Sequence, residues 1–220
     1  MAMATDALVE RLSKLDTCAV SDALDKLGIK GTVIGILPLY PTQRIAGRAV
    51  TVKLKAKGSE ESKRHLGAAA VAAAGAGDVI VIDNRGRTDV AAWGGILSAA
   101  AKTRGVSGVV VDGASRDVDE ARGLGLPLFA RAAVPLTARG RIVEESTNQP
   151  IEIGGVPVRS RDYIIADASG IVVVPAERAG EVIPVAEEIV AREATMVRDV
   201  IAGKSVADIM GINYETMVSR

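Results

Sequence analysis

The chain has 220 residues, 48% hydrophobic and 25% charged, the balance of a globular protein with a sizeable core. Lys plus Arg equals Asp plus Glu at 27 each, and no basic run stands out, which argues against a nucleic-acid groove and against a polybasic membrane patch. Only 2% is aromatic, so the core is built from Ala, Val, Ile and Leu and base-stacking surfaces are not expected.

The start, MAMATDALVERLSKLD, lacks the charged-then-apolar order of a signal peptide. No apolar stretch reaches the roughly 18–20 residues that span a bilayer, so a cytoplasmic protein is expected. Residues 6–15 and 20–27 read as two short amphipathic helices, with Asp16-Thr17 between them and Gly28 ending the second. The lone Cys18 reads as a small buried residue of these helices. The proline-containing stretch 31–47 reads as an irregular connection. AVTVKLKAK (49–57) alternates like a half-buried strand, and the alanine-rich segment 61–75 like a helix.

DVIVID (78–83) is a buried strand by composition, followed by a polar loop, NRGRTDV. GGILSAAAKTRG (94–105) predicts a helix, VSGVVVDG (106–113) a buried strand, DVDEARGLG (117–125) a short helix and PLFAR (127–131) another strand. This order predicts an α/β protein with a parallel sheet and right-handed crossovers. Short strands over 141–175, separated by Gly and Asn/Asp turns, add antiparallel hairpins. Residues 176–202 form a long helix whose apolar surface, from Val182 to Ile201, is wide enough to face another subunit as well as the core. No linker, repeat or second domain is visible, so residues 1–220 are expected to form one domain.

VVVDGASRDVDE (109–120) carries the chemistry. In a parallel β–α–β unit, a strand's carboxyl end and the start of the next helix share the sheet edge where ligands bind. The helix opening at Trp93-Gly94-Gly95 offers free N–H groups to an anion, and Arg116 arrives there through a Gly113-Ala114-Ser115 turn. Amides and arginine suit a small carboxylate or 2-oxo acid. Asp117 is able to hold Mg²⁺ or Mn²⁺, which keep several waters and use one or two protein carboxylates. Equally, Asp117 is placed to cap the helix 117–124, with Asp119 and Glu120 in its first turn and Arg116 as an ordinary ion-pair residue.

Gly95, then twenty residues, then Arg116-Asp117, two more and Glu120 resembles the signature of class II 4-hydroxy-4-methyl-2-oxoglutarate/4-carboxy-4-hydroxy-2-oxoadipate aldolases. These belong to the RraA-like family, named for a regulator of ribonuclease E activity. The likeness extends through VSDALDKLGIKG, RIAGRAVTV, GDVIVID, AAWGGILSAAAKTRGVSGVVVDGASRD, GLPLFAR and RDYIIADASGIVVVP. It implies a swivelling β/β/α domain and a homotrimer or homohexamer with active sites at subunit interfaces. It also implies a metal-dependent retro-aldol reaction releasing pyruvate, with oxaloacetate decarboxylation as a side activity.

On this resemblance Arg116 binds pyruvate and steadies its enolate, and Asp117 is the direct ligand of Mg²⁺ or Mn²⁺. Gly94, Gly95, Ile96 and Leu97 hold the pyruvate carboxylate. Glu120 stands behind the site, and Glu193 reaches a neighbouring subunit's metal. The alternative that the resemblance carries is a non-catalytic regulator that binds and inhibits a ribonuclease. His65, the only histidine, reads as an exposed or helix-capping residue; with no histidine near the motif, a metal-bound or ordered water is the expected proton carrier. Arg85 and Arg87 are loop candidates for a second substrate carboxylate.

Overall fold

The computed structural model describes residues 6–59 and 65–211. The sequence readings that rest on residues 1–5, on 61–64 of the expected helix and on 212–220 lie outside them. The elements run α1 (Ala7–Leu12), α2 (Thr17–Lys26), β1 (Thr32–Val33), β2 (Leu37–Pro38), β3 (Ile45–Ala56), α3 (Ala68–Ala73), β4 (Val79–Ala91) and α4 (Gly95–Thr103). They continue with β5 (Gly108–Ser115), α5 (Val118–Gly123), β6 (Leu128–Ala133), β7 (Ile142–Thr147), β8 (Ile151–Ile153), β9 (Val156–Val158), β10 (Tyr163–Asp167), β11 (Gly170–Val174), α6 (Ala179–Ile201) and α7 (Val206–Ile209).

β3, β4, β5 and β6 pair in parallel, as the alternation of strands and helices predicts. Antiparallel strands extend this sheet to the order β1-β11-β10-β3-β4-β5-β6-β2, with β7 also paired to β3 and β8-β9 forming a separate ribbon. The fold is α/β, with a mixed sheet and flanking helices.

Apolar side chains on both faces of the strands explain the layering. Ile80 and Ile82 of β4 and Val109 and Val111 of β5 share one cluster with Ala70 and Val71 of α3 and Leu97 and Ala101 of α4. Val79, Val81 and Val110 point into a second cluster, closed by Ile151, Ile153, Val156 and Val158 of the β8-β9 ribbon and by Ile164 and Val173 of β10 and β11. Tyr163, Ile165, Val172 and Val174 face a third, built with α1, α2 and α6. The strands are therefore covered twice, the reason they read as continuous apolar runs.

Several boundaries differ from expectation, each for a local reason. α2 starts at Thr17 because the Asp16 carboxylate accepts the Ala19 N–H at 2.8 Å. It ends at Gly28 (φ 65°), where Gly28 N–H reaches Asp25 O and Ile29 N–H reaches Leu24 O. This frame turns Cys18 to solvent, not into the core. Stretch 31–47 is more regular than expected: β1 pairs with β11, β2 with β6, and β3 begins at Ile45. β3 is buried on both faces from Ala49 to Val52 and alternates on either side of that stretch, with Lys53 and Lys55 on the half-buried side.

The expected polar loop 84–90 is part of β4. Its register against β5 jumps from Asp83↔Asp112 to Arg87↔Gly113 to Ala91↔Ala114, so β4 is twice looped out past a single β5 residue. Polar composition hid this strand.

Two carboxylates anchor the β8-β9 ribbon to the strand ends. Asp112 accepts the Gly154 N–H at 2.8 Å and pairs with Arg131. Asp83, also buried, accepts the Arg85 N–H at 2.8 Å and a backbone bond from Glu152. Burial, with the Asp112 charge nearby, raises the Asp83 pKa above the ordinary carboxylate range.

Truncating fully buried Ile82 to Ala should cost about 2–5 kcal/mol in urea unfolding, because the cavity opens in the cluster under α3 and α4. For Asp83, a raised native pKa means the folded state binds the proton more readily than the unfolded chain. Stability is then gained as pH falls from the raised value towards the ordinary one. Asp83→Asn removes that dependence, so its stability relative to the parent should be greater at pH 7 than at pH 4, measured by paired denaturant titrations.

Candidate active site

The site lies where β5 ends and α4 begins. β5 is buried along its whole length and continues through Ala114 and Ser115, which extends the strand where a turn was expected. The chain then breaks sharply: Arg116 N–H donates to Trp93 O at 3.0 Å, and Asp117 adopts the left-handed conformation (φ 56°, ψ 42°). A non-glycine residue there is uncommon and mildly strained.

This turn decides the fate of Asp117. It occupies the position before α5, but its side chain makes no capping bond to that helix. Instead Asp117 Oδ2 accepts the Gly95 N–H at 2.8 Å and lies 3.2 Å from Arg116 Nε. The helix-cap alternative is thereby corrected: the left-handed backbone swings the carboxylate across to α4. Guanidinium, carboxylate and helix-start amide meet at one point.

The glycines at the head of α4 are required for room. A Cβ on Gly94 would sit 2.8 Å from Asp117 Oδ2 and 3.3 Å from Arg116 Nε. A Cβ on Gly95 would sit 1.6 Å from Glu120 Oε2 and 3.3 Å from Asp117 Cβ. Glu120, although exposed, thus lies directly over the Gly95 backbone.

A cavity of about 80 Å³ opens here, lined by His65, Trp93, Gly94, Gly95, Ile96, Leu97, Arg116 and Asp117, with Leu66, Ala91, Ala92, Thr137 and Ala138 completing the wall. At roughly 10–15 Å³ per water-sized probe it has room for a small acid or a few waters. On its other side the Arg116-Asp117 pair borders a second, open cleft with Asp119, Glu120 and Val134.

The structure therefore brings Arg116, Asp117 and the Gly94–Leu97 segment together, with Glu120 beside them. Glu193 lies elsewhere, on α6 in an apolar groove with Met196, Val197, Val200, Ile201, Ile209 and Met210. Burial, with Asp16 and Asp22 nearby, raises its pKa. Arg87 is engaged by Asp89 through two bonds of 2.9 and 2.8 Å, and Arg85 lies 3.6 Å from Glu145. Neither arginine lines the cavity with Arg116.

His65 is exposed, as expected, but it lies on the cavity wall, so the view that no histidine is near the motif is corrected. Fifty residues of sequence separate it from Arg116, and no local signal joins them. Trp93 is buried in the cavity wall. Ser98 and Ser115, which hold the backbone here, carried no signal in sequence.

The carboxylates near the cavity could hold a divalent cation only as a largely hydrated ion. Among the described residues, no group of three or more His, Cys, Asp or Glu side chains could cage a metal. Asp117 and Glu120 offer one or two carboxylates, which fits Mg²⁺ or Mn²⁺ holding most of its waters. No helix among the described residues is long and apolar enough to cross a membrane.

Comparisons with known proteins show what the whole chain is similar to. The chain is 37% identical over 179 residues, 80% of each chain, to a protein of Halalkalibacterium halodurans named "Putative 4-hydroxy-4-methyl-2-oxoglutarate aldolase". It is 32% identical over 176 residues to Protein DlpA of Legionella pneumophila, matching 80% of this chain but spanning only 29% of that longer protein. The crystal structure of Streptomyces coelicolor RraAS2, described as an unusual member of the RNase ES inhibitor RraA protein family, superposes with a TM-score of 0.79 at 26% identity, covering 89% of this chain and 98% of that one. The RraA-like family model, described as Aldolase/RraA, matches residues 17–173, and with most of the chain so covered and the Gly95–Arg116–Asp117 cluster in place, the protein belongs to the RraA-like family.

Proposed function

We propose that the protein is a class II aldolase that cleaves a 4-hydroxy-2-oxo acid to pyruvate and a second carbonyl compound, and that it also decarboxylates oxaloacetate. The observation that carries this reading is the convergence of Arg116, Asp117 and the Gly95 N–H on one small cavity. The aldolase names of relatives at this level of identity support it.

Each group has a task suited to its chemistry. With the Gly95 N–H engaged by Asp117, the other amides at the head of α4 and Arg116 receive the carboxylate and the 2-oxo oxygen of the substrate. In cleavage, a base removes the C4 hydroxyl proton, the C3–C4 bond breaks, and its electron pair is delocalised onto the 2-oxo oxygen as the pyruvate enolate. Arg116 stabilises the charge on that oxygen. In oxaloacetate, loss of CO₂ leaves its electron pair in the same enolate. Protonation at C3 then gives pyruvate, and His65 on the cavity wall or an ordered water is suitably placed to carry protons. Asp117, with Glu120 beside it, would hold Mg²⁺ or Mn²⁺, which supplies Lewis-acid stabilisation of the developing oxyanion when bound.

The apolar groove at the end of α6, with Val197 and Ile201 well exposed, supports assembly into a homotrimer or homohexamer, in which Glu193 would approach a neighbour's site. A second reading, a non-catalytic regulator that binds a ribonuclease, is favoured by the likeness to an RNase-inhibitor family member.

The decisive assay supplies oxaloacetate with and without Mg²⁺ and follows pyruvate. Turnover should require the divalent ion and stop with EDTA, and Arg116→Ala and Asp117→Ala should each lower kcat/KM by about 10²–10³-fold. Turnover without metal, or unchanged in both variants, sinks the aldolase reading; no turnover at all, with ribonuclease inhibition instead, establishes the regulator. Gly95→Ala, which forces Glu120 and Asp117 aside, should lower kcat/KM by about 10²-fold through misplacement alone, with circular dichroism unchanged.

A further inference from the structure

The geometry points to Ser98 as a positioning residue that, with Trp93 and Ser115, aims the Gly95 amide onto Asp117 and the Gly94 amide along the cavity wall. The inference rests on the reading of that cavity as a 2-oxo-acid site.

Ser98, Ser115 and Trp93 are all buried, with relative exposures of 0%, 0% and 2%. Ser98 Oγ accepts the Trp93 indole N–H at 2.9 Å and donates to Gly94 O at 3.1 Å, and the Ser98 N–H donates to the same carbonyl at 3.0 Å. Ser115 Oγ donates to Trp93 O at 3.2 Å, and the Arg116 N–H donates to it at 3.0 Å. Two consecutive carbonyls are thus each fixed by a hydroxyl and a backbone N–H.

A trans peptide is planar, and its C=O and N–H point in opposite directions. Fixing Gly94 O in the interior therefore directs the Gly95 N–H outward, where it meets Asp117 at 2.8 Å. Fixing Trp93 O does the same for the Gly94 N–H on the cavity wall. The Ile96 and Leu97 N–H groups follow in the first turn, which has no intrahelical acceptors. A glycine pair has no side chain to hold its peptide planes, so the planes are held from behind. Ser98 lies four residues after Gly94, on the same helical face, where its hydroxyl reaches back to that carbonyl.

The carboxylate of a 2-oxo acid is a non-reacting group, so amides that hold it bind ground state and transition state alike. Losing their alignment raises KM and leaves kcat nearly unchanged. Ser98→Ala should raise the KM for oxaloacetate and the Kd for oxalate, a mimic of the pyruvate enolate, about five- to twentyfold, with kcat within about threefold.

The variant also leaves the Trp93 N–H buried without a partner, which lowers stability by itself. A cycle with Trp93→Phe separates the two effects, because no indole donor is orphaned in that background. There, Ser98→Ala should cost little in melting temperature yet still raise the oxalate Kd by the same factor, read by calorimetry in the presence of Mg²⁺. If Ser98→Ala leaves Kd unchanged in the Trp93→Phe background, or in both backgrounds, Ser98 is a structural residue and the inference is overturned. Wild-type protein that neither turns over oxaloacetate nor binds oxalate removes the 2-oxo-acid reading and the inference together. Normal wild-type binding with an unaffected Ser98→Ala variant removes the inference alone.

Discussion

The site depends on one bridge, the Asp117 carboxylate held between the Gly95 N–H and the Arg116 guanidinium. A carboxylate beside an arginine at a strand end is common. What makes this one specific is the left-handed backbone at Asp117, which denies the side chain to its own helix and gives it to the preceding one. The bridge ties the end of β5 to the head of α4 and fixes a cation, an anion and a backbone amide relative to one another.

Room at the bridge is as constraining as charge. α4 and α5 meet with Glu120 and Asp117 lying against the bare backbone of Gly94 and Gly95. Side chains at either position would separate the carboxylates from the amides. The flexibility that two glycines would otherwise bring is countered from the interior by Ser98, Ser115 and Trp93. Permissive backbone in front and a satisfied polar network behind give a turn that is both open to a ligand and fixed in direction.

The fold supplies the platform in the same economical way. The parallel strands β3 to β6 are buried on both faces, so their ends are held rigidly by the core. β4 and β5 carry further buried acids, Asp83 and Asp112, which stand opposite each other in register and secure the β8-β9 ribbon through backbone N–H groups. Neighbouring acids on one sheet edge thus hold different partners: those inside the strands hold the ribbon, and the one just past the end of β5 bridges Arg116 and the head of α4.

The amino-acid pattern alone determined the strand–helix alternation, the doubly buried strands, the hairpins after residue 140 and the Arg116-Asp117 motif with its glycine partners. These are legible because hydrophobic periodicity and glycine spacing act over short distances along the chain. Tertiary structure decided what local pattern leaves open. It turned the polar segment 84–90 into a bulged strand, because pairing to β5 outweighs composition. It chose between capping and bridging for Asp117, because that depends on the left-handed backbone torsion at that residue. It carried His65 to the cavity, and it gave Ser98 a carbonyl to hold. Such outcomes rest on contacts between residues distant in sequence or on the direction of a peptide plane, and neither is written in any local run of residues.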